Sequence, residues 1–241
     1  MDRAVAVLLV LLAAPCEAAI ARHGSASLGL ISSSTYSASY TVGSGSDRLL
    51  TCAFFGGTSD DITGITYAGV AMTVIHKSGF SGDRWLYSTY LAAPASGPNT
   101  LSASVAGGVA AAICSDYDGV SAVGSTGNGG GFFGPATATV TLSDAGSWVV
   151  AFGRETSGGA ITWTSAVALQ TPGNGLAMAD SNAAVGFTGG HSVTMDSGSS
   201  IVNLDVAEIV PTGGGGGGPS GGGGAACPAV LTLLRVGCGG D

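Results

Sequence analysis

The run Asp83-Arg84-Trp85-Leu86-Tyr87-Ser88-Thr89-Tyr90-Leu91, closed by the turn Pro94-Ala95-Ser96-Gly97-Pro98, decides the fold class. Aromatic and β-branched residues are dense here. Period-2 alternation puts Trp85, Tyr87 and Thr89 on one face of a strand, and Leu86, Ser88 and Tyr90 on the other. The same grammar repeats outward from it. Residues 35–42 alternate and end in Gly43-Ser44-Gly45-Ser46, whereas residues 48–55 are nearly all apolar, the pattern of a strand covered on both faces. Residues 65–67, the turn Ala68-Gly69 and residues 70–76 read as a hairpin. Further runs at 99–106, 109–117, 136–142, 147–153, 161–163, 167–170, 183–187, 192–195 and 201–210 bring the total to about a dozen short strands. Residues 124–134 read as a long glycine-rich loop. No segment carries a helical period. The expectation is an all-β chain: an antiparallel, jelly-roll-like β-sandwich over residues 22–211, with no repeat unit distinct enough to divide it.

Composition narrows the function classes. Of 241 residues, 45% are hydrophobic, enough for a core, and only 9% are charged, far below the roughly 25% of ordinary soluble domains. The formal net charge of −8, with seven basic residues scattered singly, excludes a nucleic-acid partner, because phosphate binding needs clustered Lys and Arg. Residues 4–14 are an uninterrupted apolar run behind Arg3, followed by Ala19-Ile20-Ala21, which fits an A-x-A cleavage site. Residues 1–21 therefore read as a secretory signal peptide, too short to span a bilayer. Secreted or cell-surface localisation follows, with no transmembrane span in the mature chain. Residues 212–224 form a Gly-rich linker, and residues 225–241 a short, mildly apolar tail containing Cys227 and Cys238.

Five cysteines are present, of which Cys16 falls in the signal. An exported protein with four remaining permits the bridges Cys52–Cys114 and Cys227–Cys238; the alternative for the first pair is two buried thiols on separate strands.

Four stretches occur in order: residues 42–50 (VGSGSDRLL), residues 65–73 (ITYAGVAMT), Trp85-Leu86-Tyr87 with Ala93-Pro94-Ala95-Ser96-Gly97, and Tyr117-Asp118-Gly119-Val120. Together they resemble a jelly-roll-like β-sandwich module of predicted secreted bacterial proteins and phage structural or tail-associated proteins. The resemblance covers residues 22–211. It implies a structural or adhesive unit and brings no catalytic residues with it, since its shared motifs are turns and strand edges.

Several residues invite chemistry. Trp85 with Asp83 and Arg84 suits a sugar ring stacked on an indole and bonded at its hydroxyls, although aromatics on alternating strands mostly face a core. Phe132 and Phe133, at the tip of the glycine-rich segment, offer exposed rings to a ligand. Gly129-Gly130-Gly131-Phe132-Phe133-Gly134 matches G-x-G-x-x-G on paper, but a Pro and a Thr-alternating strand follow it instead of a helix, so no phosphate cradle is expected. Asp116 and Asp118, with Asp60 and Asp61, lie at strand ends where carboxylates can converge on Ca²⁺, though solvated turn aspartates are the default. His23, His76 and His191 have no partner at metal-ligand spacing, and no H-E-x-x-H occurs. The reading is a non-enzymatic exported structural or adhesive module, needing no cofactor unless Ca²⁺, with a glycan or another surface protein as partner. The alternatives are a carbohydrate-binding (lectin-like) domain and a phage tail, fibre or particle component.

Overall fold

In a computed structural model, the described residues are 19–56, 62–80, 83–106, 110–132, 134–156, 159–170, 175–198 and 201–213, and everything below concerns these. They form strands and turns without helices. The strands are β1 (Ala21–Ile31), β2 (Thr35–Val42), β3 (Leu49–Gly56), β4 (Ile62–Tyr67), β5 (Val70–Ala71), β6 (Thr73–Phe80), β7 (Asp83–Ala92), β8 (Gly97–Val105) and β9 (Ala110–Asp118). The second half continues with β10 (Val120–Phe132), β11 (Ala136–Leu142), β12 (Trp148–Glu155), β13 (Thr162–Thr164), β14 (Val167–Gln170), β15 (Leu176–Asp180), β16 (Gly189–Asp196) and β17 (Ile201–Pro211). Three readings need correction. Residues 124–132 extend β10 instead of forming a loop, residues 183–187 are loop instead of strand, and the hairpin read over 65–76 closes only between β4 and β5, residues 73–76 belonging to β6, which pairs with β7. The first error arises because glycines signal turns, whereas here they let β10 lie close against β11: a Cβ on Gly127 would stand 2.0 Å from the Thr139 carbonyl.

Four antiparallel sheets result. The first half makes β1-β9-β3-β7-β6 and β2-β8-β4-β5; the second makes β10-β17-β12-β15-β14 and β11-β16-β13. Substituting β10 for β1, β11 for β2, β12 for β3, β13 for β4, β14 for β6, β15 for β7, β16 for β8 and β17 for β9 maps one order onto the other. Only β5 lacks a counterpart. This winding, with first and last strands paired in one sheet and second and penultimate in the other, is that of a jelly roll. The span read as one sandwich thus contains two of the same topology in tandem.

Registers confirm the equivalence. Val42 pairs with Gly97 and Leu142 with Gly189, both glycines at positive φ. Leu49 pairs with Tyr117, and Trp148 with Ile209. The sandwiches stack through their larger sheets, giving four layers and three cores. One core lies inside the first sandwich around Tyr36, Phe54, Tyr67 and Leu101. A second lies between the sandwiches around Phe55, Leu86, Ile113, Phe152 and Met178. The third lies inside the second sandwich around Val140, Val149, Met195 and Leu204.

Layer position explains each strand's composition. β3, β12 and β15 are buried throughout, because the inner sheets meet apolar neighbours on both faces. β2 and β11 alternate, because one face of each outer sheet meets water.

Candidate functional site

The buried polar groups between the sandwiches come first, since isolated buried charges are costly. Asp180 on β15, wholly buried, accepts two hydrogen bonds from Arg22 Nη1 on β1, each 2.8 Å. It also accepts one from the Tyr117 hydroxyl on β9 at 3.0 Å and one from the Asn182 amide at 2.9 Å. Burial, reinforced by the Asp180 charge, holds the Tyr117 phenol well above its ordinary pKa. On the other flank Asp205 of β17 accepts from the Ser78 hydroxyl of β6 at 2.5 Å and the Ser88 hydroxyl of β7 at 2.9 Å. Burial pushes its pKa up to about 6, while the two serines and nearby His76 pull it down. Each carboxylate joins one sandwich to the other.

A second kind of carboxylate is repeated within the fold. Asp116 of β9 accepts from the Gly43 amide, just past β2, and from the Tyr40 hydroxyl, both at 2.8 Å. Glu208, at the equivalent place on β17, accepts from the Ser143 amide, just past β11, at 2.6 Å, and from the Ser143 and Ser147 hydroxyls. These donors hold the Glu208 pKa below its ordinary value against the opposing effect of burial. Opposite each acid the first strand of its sandwich bulges and carries a glycine, Gly24 or Gly124; a Cβ on Gly124 would stand 2.1 Å from Glu208 Oε2.

The residues singled out for Ca²⁺ are divided by this arrangement. Asp116 is committed as described, and Asp118 bonds His23 Nε2 at 2.8 Å. Asp60 and Asp61 lie outside the described residues. Among the described residues no three His, Cys, Asp or Glu side chains converge. For ligand binding, Trp85 is half-buried against the first core, with Lys77 Nζ 5.4 Å above its ring and 5.6 Å from that of Tyr87. Its indole therefore carries a cation instead of standing as an open platform. The Asp83 and Arg84 side chains and Phe133 lie outside the described residues. Phe132 is 56% exposed at the end of β10, so the ring stands at a sheet edge. Cys52 and Cys114, opposite one another on β3 and β9, form a disulfide with Cα atoms 4.1 Å apart. Cys227, Cys238, the signal, the linker beyond Gly213 and the tail fall outside the described residues. No helix among the described residues is long and apolar enough to cross a membrane.

Two surface features escaped the sequence reading. The outer faces of the smaller sheets are paved with hydroxyls. Thr35, Ser37, Ser39 and Thr41 on β2 stand beside Ser104, Ser102 and Thr100 on β8, with Thr63 and Thr66 on β4. Thr137, Thr139 and Thr141 on β11 stand beside Thr194 and Ser192 on β16, with Thr162 and Thr164 on β13. Several bond across strands at 2.8 Å: Thr66 to Ser102, Thr137 to Thr194 and Thr139 to Ser192. The one charge within these described rows is Asp196, at the far end, which caps the Gly198 amide. The alternation that placed these strands already contained the signal. The other feature is a groove of about 450 Å³ at the end of the second sandwich, lined by Ser165–Val167, Ser181, Ala183–Val185, Phe187 and His191.

Comparison of the chain with protein-family models, with curated proteins and with solved structures gave no match.

Proposed function

We propose that this chain is an exported, non-enzymatic structural or adhesive module whose contact surfaces are its two hydroxyl-paved outer sheets. The observation that carries the reading is the nearly uncharged Ser/Thr pavement on both outer faces of a doubly stacked sandwich. Such faces offer donors and acceptors at the regular spacings of a sheet, about 4.8 Å between strands and about 6.8 Å between same-face residues, without charge to select an ionic partner. Two further observations support it. The Cys52–Cys114 bridge supports an exported setting, since disulfides persist chiefly where conditions are oxidising. The buried carboxylates are engaged in joining strands and sandwiches, which suits a rigid support better than a reaction site.

The test is binding of the purified chain to immobilised glycans and to surface-protein extracts, with and without Ca²⁺ and at low and high salt. The expected result is saturable, salt-insensitive binding that the double variant Thr137→Lys/Thr139→Lys reduces at least tenfold. Salt-sensitive binding, or binding indifferent to both outer faces, would overturn the reading. Glycan-specific binding lost in Trp85→Ala would move the module to the lectin-like alternative.

A further inference from the structure

The two sandwiches differ in what fills one end. Val42 faces Gly97 and Leu142 faces Gly189, so the opposed pair Tyr40 and Asn99 in the first corresponds to Val140 and His191 in the second. Thr66 opposite Ser102 likewise corresponds to Thr164 opposite Thr194. The residue after each, Tyr67 or Ser165, therefore takes the same place in the winding. In the first sandwich the Tyr67 ring is wholly buried, and its hydroxyl bonds the carbonyls of Tyr40 and Gly97, both at 3.1 Å. Asn99 donates to that hydroxyl at 3.5 Å, and to the Ser96 and Gly97 carbonyls at 3.3 Å. Phenol and amide complete one another.

In the second sandwich that ring is missing. Ser165 stands where Tyr67 does, and both it and His191 line the groove of about 450 Å³. His191 Nε2 is buried with no hydrogen-bond partner among the described residues. Phe187 lies against the imidazole, ring centres 5.9 Å apart, but it is 46% exposed and brings no hydroxyl. Ala166, Val167 and Val185 continue an apolar wall, and the imidazole is the one lining side chain that can carry charge.

We propose that this groove binds a neutral phenol, its ring against Phe187 and Val167 and its hydroxyl on His191 Nε2, in the role that Tyr67 plays toward Asn99. Apolar hollows left where a large side chain is missing take up small aromatic molecules. The volume lies within the range of small-molecule sites, which are walled by apolar and aromatic groups around a few polar ones. A hydroxyl both donates and accepts, so it answers the imidazole nitrogen in either neutral tautomer. A carboxylate or ammonium would enter this wall with no counter-charge and lose its hydration. The site lies apart from the hydroxyl-paved outer sheets and does not depend on their contacts.

NMR titration of the full chain with p-cresol, toluene and benzoate tests this, read at the Phe187 and His191 resonances. The expected result is saturable binding of p-cresol, at least tenfold tighter than that of toluene or benzoate. His191→Phe, which keeps a ring but removes its nitrogens, should bring p-cresol and toluene to equal affinity. His191→Asn, which installs the side chain of the first sandwich, should keep the preference for p-cresol. Equal binding of p-cresol and toluene to the parent chain would overturn the proposal, as would a preference that survives in His191→Phe with β12 amide exchange unchanged. N-acetyltyrosinamide separates the sources of the phenol: binding as tight as that of p-cresol assigns the site to a tyrosine presented by a partner, and its exclusion to a free phenol.

Discussion

The two sandwiches share a winding but not a means of reinforcement. In the first, Cys52 on β3 is bridged to Cys114 on β9; at the equivalent place in the second, Ala151 pairs with Val206 and no cross-link exists. The first fills its outer sheet with four strands and seats Tyr36, Tyr40 and Tyr67 beneath them, whereas the second has three strands, and small or aliphatic residues inside. Burial pushes the Tyr36 phenol up to about 12 and carries that of Tyr40 further still, Asp116 adding to the effect. The carboxylate that pins the loop after the second strand is common to both, as Asp116 and Glu208. The lesson is that a jelly roll needs only the alternation, the turns and the loop pin to wind. What stiffens it is local and dispensable to topology.

Breaking the reinforcement of one half should expose that asymmetry most strongly. Cys52→Ala/Cys114→Ala removes a cross-link enclosing roughly sixty residues and should cost about 3–4 kcal/mol in urea unfolding. Exchange under native conditions should rise first in β2, β4 and β8, before β11 and β16. A uniform rise would instead mean that the stack unfolds as one unit.

The latch between the halves is next. Arg22→Ala leaves Asp180 buried without its cation, and because Arg22 is itself partly exposed the cost should be about 2–3 kcal/mol. The paired change Arg22→Ala/Asp180→Asn should recover part of that loss. No recovery would mean that Asp180 acts chiefly through Tyr117 and the Asn182 amide.

The smallest effect is one of pH. Asp205 has a folded pKa of about 6 against an ordinary 3.8, so the folded chain holds this proton more tightly than the unfolded chain. Its contribution is therefore full below about pH 4 and is lost as pH rises through 6, on the order of 2 kcal/mol. Glu208, with a lowered pKa, acts in the opposite sense, its contribution being lost as pH falls below the ordinary glutamate range. Denaturation midpoints of Asp205→Asn measured between pH 4 and 8 should lack the decline seen in the parent. An unchanged profile would show that Ser78 and Ser88 already compensate the charge.

Much of the fold is legible strand by strand. The nearly all-apolar run at 48–55 predicts a strand covered on both faces, and β3 is sandwiched between two cores. The alternation at 136–142 predicts one wet face, and β11 has one. The doubling is not legible, because equivalent positions share pattern and not identity. Val42 answers to Leu142, Leu49 to Trp148 and Asp116 to Glu208, while loops of different length shift the spacing between them. The surroundings of a candidate ligand residue are illegible for a related reason: a strand pattern places Trp85 on a face but says nothing of Lys77 lying across it.

By itself, then, the sequence determined an all-β chain, the strands that are half wet and those that are dry, and a surface almost without charge, because these follow from period-2 patterning and composition. Only the tertiary structure decided that there are two sandwiches, that Arg22 reaches Asp180 and Ser78 reaches Asp205, and that the second sandwich ends in a groove. Those contacts join residues more than a hundred positions apart, and such pairings are set by how sheets stack, a choice that no local pattern encodes.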